Sequence, residues 1–167
     1  LIRLYMEHEI ISGIGQRKSN EDEWTPKKKC KQSSLFLVCD GVGGENHGDD
    51  AAKITSQGIT YYLSTTIHYS QKTILEALVY AENGLDLFKT ASSASKNMTT
   101  HLSLLAFNSP TQAIAAWVGD SRIYHIRNGE ILYKSVDHSL GQLLFQKGIL
   151  TEEELEKFPR KNVITKG

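Results

Sequence analysis

Apolar and polar positions along the chain switch between a strand-like and a helix-like period. Residues 9–14 form a short apolar stretch closed by Gly13 and Gly15, and read as a strand. Residues 16–31 are polar and charged, with Trp24 the one large apolar residue, and read as loop. Residues 34–39, Ser-Leu-Phe-Leu-Val-Cys, are a continuous apolar run suited to a strand buried on both faces. That run stops at Asp40 and a glycine cluster. Residues 49–63 take a helical period, with Ala52, Ile59, Tyr62 and Leu63 near one face. A second helix carries Ile74, Leu75, Ala77, Leu78, Ala81, Leu85 and Phe88. Asn83-Gly84 weakens its middle, and residues 91–96 read as a small polar linker.

From Thr100 the strand period returns. Residues 101–107 and 112–118 read as strands joined through Asn108-Ser109-Pro110-Thr111. Residues 122–127 and 130–134 flank Asn128-Gly129, a strong hairpin signal because both turn positions favour positive φ. A short helix is expected over 140–147, stopped by Gly148. Thr151, with Glu154 three residues on, is a capping box that opens another helix, and Pro159 ends it. There are no repeats. Strands, then two helices, then an antiparallel meander indicate an α+β fold.

The 167 residues suffice for one domain with a substantial core. Nineteen Lys and Arg balance nineteen Asp and Glu, which argues against non-specific nucleic-acid or membrane-surface binding. No run approaches the ~18 apolar residues of a membrane span. Glu7, His8 and Glu9 interrupt any signal-peptide core, so a cytoplasmic protein is expected. Met6 is a candidate native start. Cys30 and Cys39 are too few for a disulfide framework, and Cys39, inside an apolar run, reads as a small buried hydrophobe.

Three blocks could carry chemistry. In Val38-Cys-Asp-Gly-Val-Gly-Gly-Glu-Asn-His-Gly-Asp-Asp50, a carboxylate ends a buried strand and glycines open the backbone beside it. A nucleotide loop, a helix-capping turn and a hard-metal site with Asp40 and a glycine carbonyl compete; the nucleotide fingerprints are not met, and from this block alone the helix-capping turn comes first. Arg17-Lys-Ser-Asn-Glu-Asp22 sets a guanidinium shortly before the acidic pair Glu21-Asp22, and alone reads as a solvated loop. Trp117-Val-Gly-Asp-Ser-Arg122 reads as a turn or as a serine nucleophile. The nucleophile is disfavoured, since Asp137 and His138 are adjacent and no Asp-x-x-His follows.

The ordered set is more specific than its parts. Arg17 with Glu21-Asp22, then Asp40-Gly41, Met98-Thr99-Thr100, Gly119-Asp120-Ser121-Arg122 and Asp137-His138-Ser139 occur in one order. Order, spacing and flanking strands resemble the PPM-type (type 2C) metal-dependent serine/threonine protein phosphatases over residues 10–165. Val42-Gly43-Gly44 is similar to bacterial members. The resemblance implies a β-sandwich flanked by helices in αββα layers. It implies hydrolysis of phosphoserine and phosphothreonine in proteins by water shared between two divalent cations, Mn²⁺ or Mg²⁺, with a third ion in many members. On it, Asp40 and Asp22 are catalytic and Arg17 binds the substrate phosphate. Asp40 (bridging), the Gly41 carbonyl, Glu21, Asp22 and, for the third ion, Asp120 are the metal ligands. Phosphorylated proteins would be the substrates, opposing a serine/threonine kinase.

The departures from the pattern are Val42, where many animal members have His, and Met98, where the family usually has Gly. His47 is expected at helix entry or on the surface. The family's Ser-Asp-Gly and Asp-Asn blocks are not present, so the chain is expected to be the N-terminal part of a single catalytic domain, inactive alone and prone to self-association. The alternative is a pseudophosphatase or regulatory binding module with the same fold. Trp117 is expected in the core and His125 toward solvent or a helix. His8, His68 and His101 have no spacing that suggests a metal, and Lys27-Lys28-Lys29 reads as a solvated loop.

Overall fold

The computed structural model describes residues 7–16, 19–27, 33–42, 47–91 and 97–165. Trp24, the one large apolar residue of the expected loop, belongs to a strand, β1 (Asp22–Thr25). It pairs antiparallel with β2 (Leu35–Val42), Trp24 opposite Val38. Residues 9–14, expected as a strand, form none, and Ile11 is almost fully exposed. Apolar content there is too short and interrupted to outweigh the glycines.

Burial along β2 alternates instead of covering both faces. Leu35, Leu37 and Cys39 are buried, whereas Val38 is 47% exposed. The covered face lies against the helix α1 (Gly48–Leu63), and a second helix, α2 (Gln71–Ala91), packs on α1. Asn83-Gly84 does not break α2: a Cβ at Gly84 would meet the Ile54 Cγ2 of α1 at an ordinary 3.6 Å. β3 (Thr99–Ser109) and β4 (Gln112–Val118) complete a sheet of order β1-β2-β3-β4. Met98 packs with Ala51, Leu85 and Ile54 and is part of the core.

The chain divides into two compact units, residues 1–116 and 117–167. In the second, Asn128 (φ 53°) and Gly129 (φ 82°) turn the hairpin of β5 (Tyr124–Arg127) and β6 (Glu130–Lys134). α3 (Leu140–Gln146) is capped by Ser139. α4 (Glu152–Lys157) opens with the expected capping box between Thr151 and Glu154. Trp117 is not a core residue. It is half-buried, donates from Nε1 to the Val136 carbonyl at 2.8 Å and stacks on His138. The architecture is α+β, with antiparallel sheets flanked by helices. Among the described residues, no helix is long and apolar enough to cross a membrane.

Candidate metal centre

Strand register assembles the site in the first unit. Asp22 of β1 lies directly opposite Asp40 of β2, and Asp40 lies opposite His101 of β3. Cross-strand partners share a sheet face, so a carboxylate, a carboxylate and an imidazole form one row across three strands. Asp22 and Asp40 line a cleft of about 270 Å³ together with Gly15, Ser19 and Asn20. The approach to β1 is fixed locally: the Asp22 amide donates to Asn20 Oδ1 at 3.0 Å, and Asn20 Nδ2 donates to Ser12 Oγ at 2.7 Å.

The second half of the acidic pair goes elsewhere. A Cβ on Gly48 would stand 2.6 Å from Glu21 Oε2, so the Glu21 carboxylate sits at the first residue of α1. A Cβ on Gly41 would stand 2.1 Å from the Gly48 carbonyl oxygen and 2.7 Å from that of Glu21. The Gly41 amide donates to the Glu21 carbonyl at 3.3 Å. The glycines of the Asp-Gly block therefore let three backbones meet beside Asp40. Negative charge at this helix start is favourable, because the first turn exposes N–H groups. His47 stands at the α1 N-cap position with Nδ1 3.2 Å from Asp50 Oδ2, the expected helix-entry role.

The Thr99-Thr100 motif has a visible purpose. Thr100 Oγ1 donates to the Asp40 carbonyl at 3.0 Å and holds the end of β2 to β3. Cys39, between Val38 and Asp40, is 0% exposed, and burial first, then the nearby Glu23 carboxylate, pushes its thiol pKa up to about 12. It is a protonated packing group, not a nucleophile. Arg17 lies outside the described residues, as do Gly43 and Gly44.

In the second unit the late motifs bind one another. Arg122 Nε and Nη2 donate to Asp137 Oδ1 and Oδ2 at 2.7 and 2.5 Å, and this pair holds the guanidinium pKa above its ordinary value. The Gly119 amide donates to His138 Nδ1 at 3.2 Å, and the His138 amide donates back to the Gly119 carbonyl at 2.8 Å. Asp137 and His138 are thus employed in folding the Gly119–Arg122 turn rather than in activating Ser121. Asp120 is exposed on that turn.

A sequence profile described as Protein phosphatase 2C matches residues 12–166. The chain belongs to this family. Protein phosphatase PhpP of Streptococcus pneumoniae is 31% identical over 96% of this chain and 66% of its own length. The serine/threonine phosphatase of S. agalactiae is 30% identical, with a TM-score of 0.74 over 90% of this chain and 63% of its own. The catalytic domain of the serine/threonine phosphatase PstP, solved with 2 manganese ions, shares the fold at 20% identity and a TM-score of 0.68, over 90% of this chain and 60% of its own. The chain spans just under two thirds of the length of these relatives. Within the matched range the register gathers Asp22, Asp40 and Gly41 at one place, with Thr100 behind them.

Spacing along the chain gave no reason to connect His101 with a metal, yet the β2–β3 register sets it opposite Asp40. The signal existed in part, since His101 alternates with buried Leu102 and Leu104 on β3. Placing it beside Asp40 needs the β2–β3 register, which no local pattern supplies.

Proposed function

We propose that this protein is a metal-dependent phosphatase acting on phosphoserine and phosphothreonine in proteins, in opposition to a serine/threonine kinase. The observation that carries the reading is Asp22 facing Asp40 across β1 and β2 at the mouth of a cleft, with Gly41 next along the strand. This donor set fits hard divalent cations, which take carboxylate and carbonyl oxygens. Asp40, Asp22 and the Gly41 carbonyl would hold Mn²⁺ or Mg²⁺, with Glu21 contributing directly or through water. Bound, such ions lower the pKa of a shared water and offset charge on the phosphoryl oxygens. Arg17 would clamp the substrate phosphate with its planar fork. Asp120 would serve a third ion.

The protein's own groups agree with direct attack by water. The Cys39 thiol is buried and protonated, and His138 and Asp137 have structural partners, so neither Cys39 nor Ser121 is prepared as a covalent nucleophile by these groups. Asp22, Asp40 and Gly41 supply few oxygens for two ions, so negligible turnover is expected of these 167 residues by themselves. Phosphate release from a phosphothreonine peptide with Mn²⁺, measured in the whole protein with and without Asp40→Asn, tests the reading. Loss of activity by a thousandfold or more, about 4 kcal/mol in barrier, is expected. Activity within about tenfold of wild type would remove Asp40 from the site. Phosphopeptide binding without turnover would favour a regulatory module.

A further inference from the structure

We propose that the His101 imidazole is a nitrogen ligand of this metal centre, making it a mixed oxygen and nitrogen site that favours Mn²⁺ over Mg²⁺. The inference rests on the metal reading above and goes past its all-oxygen donor set. Asp40 and His101 are direct partners in the β2–β3 register, on the sheet face that also carries Asp22. A ring nitrogen of His101 and a carboxylate oxygen of Asp40 lie within 4.8 Å of each other, a spacing that one ion can bridge. The histidine is 5% exposed, so it is held in place rather than sampling solvent. Thr100, immediately before it, fixes the backbone through one hydroxyl proton shared between the Asp40 and His101 carbonyls, 3.0 and 3.1 Å from Oγ1.

The chemistry follows from the donor. Imidazole suits the later divalent metals best and Mn²⁺, a mainly oxygen-binding ion, only as one ligand among carboxylates, whereas Mg²⁺ holds to oxygen ligands and its own water more strictly still. A histidine that only steadied Asp40 would act on both ions alike, through the position of a shared carboxylate. Metal selectivity therefore separates a ligand from a positioning residue.

The test uses Mn²⁺-loaded protein, electron spin-echo modulation and titration with Mn²⁺ and Mg²⁺. Wild type should show ¹⁴N modulation from a directly bound imidazole. His101→Gln should lose it, with Mn²⁺ affinity falling about tenfold or more and Mg²⁺ affinity changing less than about threefold. Should His101→Gln fail to fold, the imidazole spectrum of ¹⁵N-histidine wild type titrated with Zn²⁺ replaces it, and a large shift of the His101 resonance is expected. Absence of ¹⁴N modulation from Mn²⁺ that Asp40→Asn releases would overturn the histidine ligand and leave the phosphatase reading intact. Equal losses of Mn²⁺ and Mg²⁺ affinity in His101→Gln would make the residue a positioning group. Mn²⁺ binding unchanged by Asp40→Asn, or no binding at all, would sink both.

Discussion

At the scale of single residues, the neighbourhood of Asp40 is governed by what cannot be larger or more charged. Gly41 has backbone on two sides, so Gly41→Ala must push main chain aside. A loss of about 3 kcal/mol is expected, at the upper end for overpacking. Gly48→Ala meets mainly the end of the Glu21 side chain, which can swing away, and should cost about 1 kcal/mol. Urea denaturation of the two variants orders them, and equal midpoints would show that the three backbones do not meet as described. Cys39 gives a pH prediction. Its thiol titrates at an ordinary 9.0 when unfolded and at about 12 when folded. The raised value makes its contribution to stability complete below pH 9 and lost as pH climbs toward 12. In native protein at pH 8.5, Cys39 should resist a thiol reagent such as iodoacetamide and react once the chain is unfolded, as read from the labelled Cys39 peptide. Rapid native labelling of Cys39 would contradict its burial.

At the scale of elements, the short C-terminal helix depends on its first turn. Thr151 Oγ1 accepts from the Glu154 amide at 3.3 Å, and the Thr151 amide donates to Glu154 Oε2 at 2.8 Å. Thr151→Ala should cost about 1 kcal/mol in that helix, read as faster amide exchange at Glu154 and Leu155. The Thr151 amide, then its side chain, hold the Glu154 carboxyl below its ordinary value. A depressed carboxyl lends stability above its ordinary range and loses it as pH falls through the folded value, so the helix start should fray in acid, not in base. Exchange at these amides that does not change in Thr151→Ala would remove the cap from the helix's support. Elements of this kind were legible in sequence because their signals are local: Thr151 with Glu154, Asn128-Gly129, and the helical period over Ile74 to Leu85. β1 was not, because four residues around one tryptophan carry no period. Their strand exists through pairing with β2. The site divides in the same way. Asp40, Gly41 and Asp22 stood out as motif residues, whereas His101 acquires meaning only from register, and the separation of Glu21 from Asp22 only from the position of Gly48.

At the scale of the molecule, apolar surface is unevenly covered. The first unit has its core between helices and sheet, with Ala51, Ala52, Ile59 and Leu104 sealed from water. The hairpin of the second unit is exposed along both strands. Ile126 and Ile131, direct partners across it, are 59% and 60% exposed. A two-stranded sheet by itself is marginal, and an apolar pair on it with open strand edges is a surface that other copies can cover. Concentration-dependent self-association in the micromolar range is therefore expected for these 167 residues. Size exclusion with light scattering should show a mass that rises with loading above 18.7 kDa. Replacing both isoleucines by lysine, Ile126→Lys with Ile131→Lys, puts two like charges opposite each other and removes the apolar pair, so the double variant should return to 18.7 kDa at every loading. Association that survives the double substitution would shift it to another apolar face, such as the one α2 exposes at Leu75 and Val79. A wild-type mass of 18.7 kDa at all concentrations would show that the hairpin is stable in water with its apolar pair uncovered.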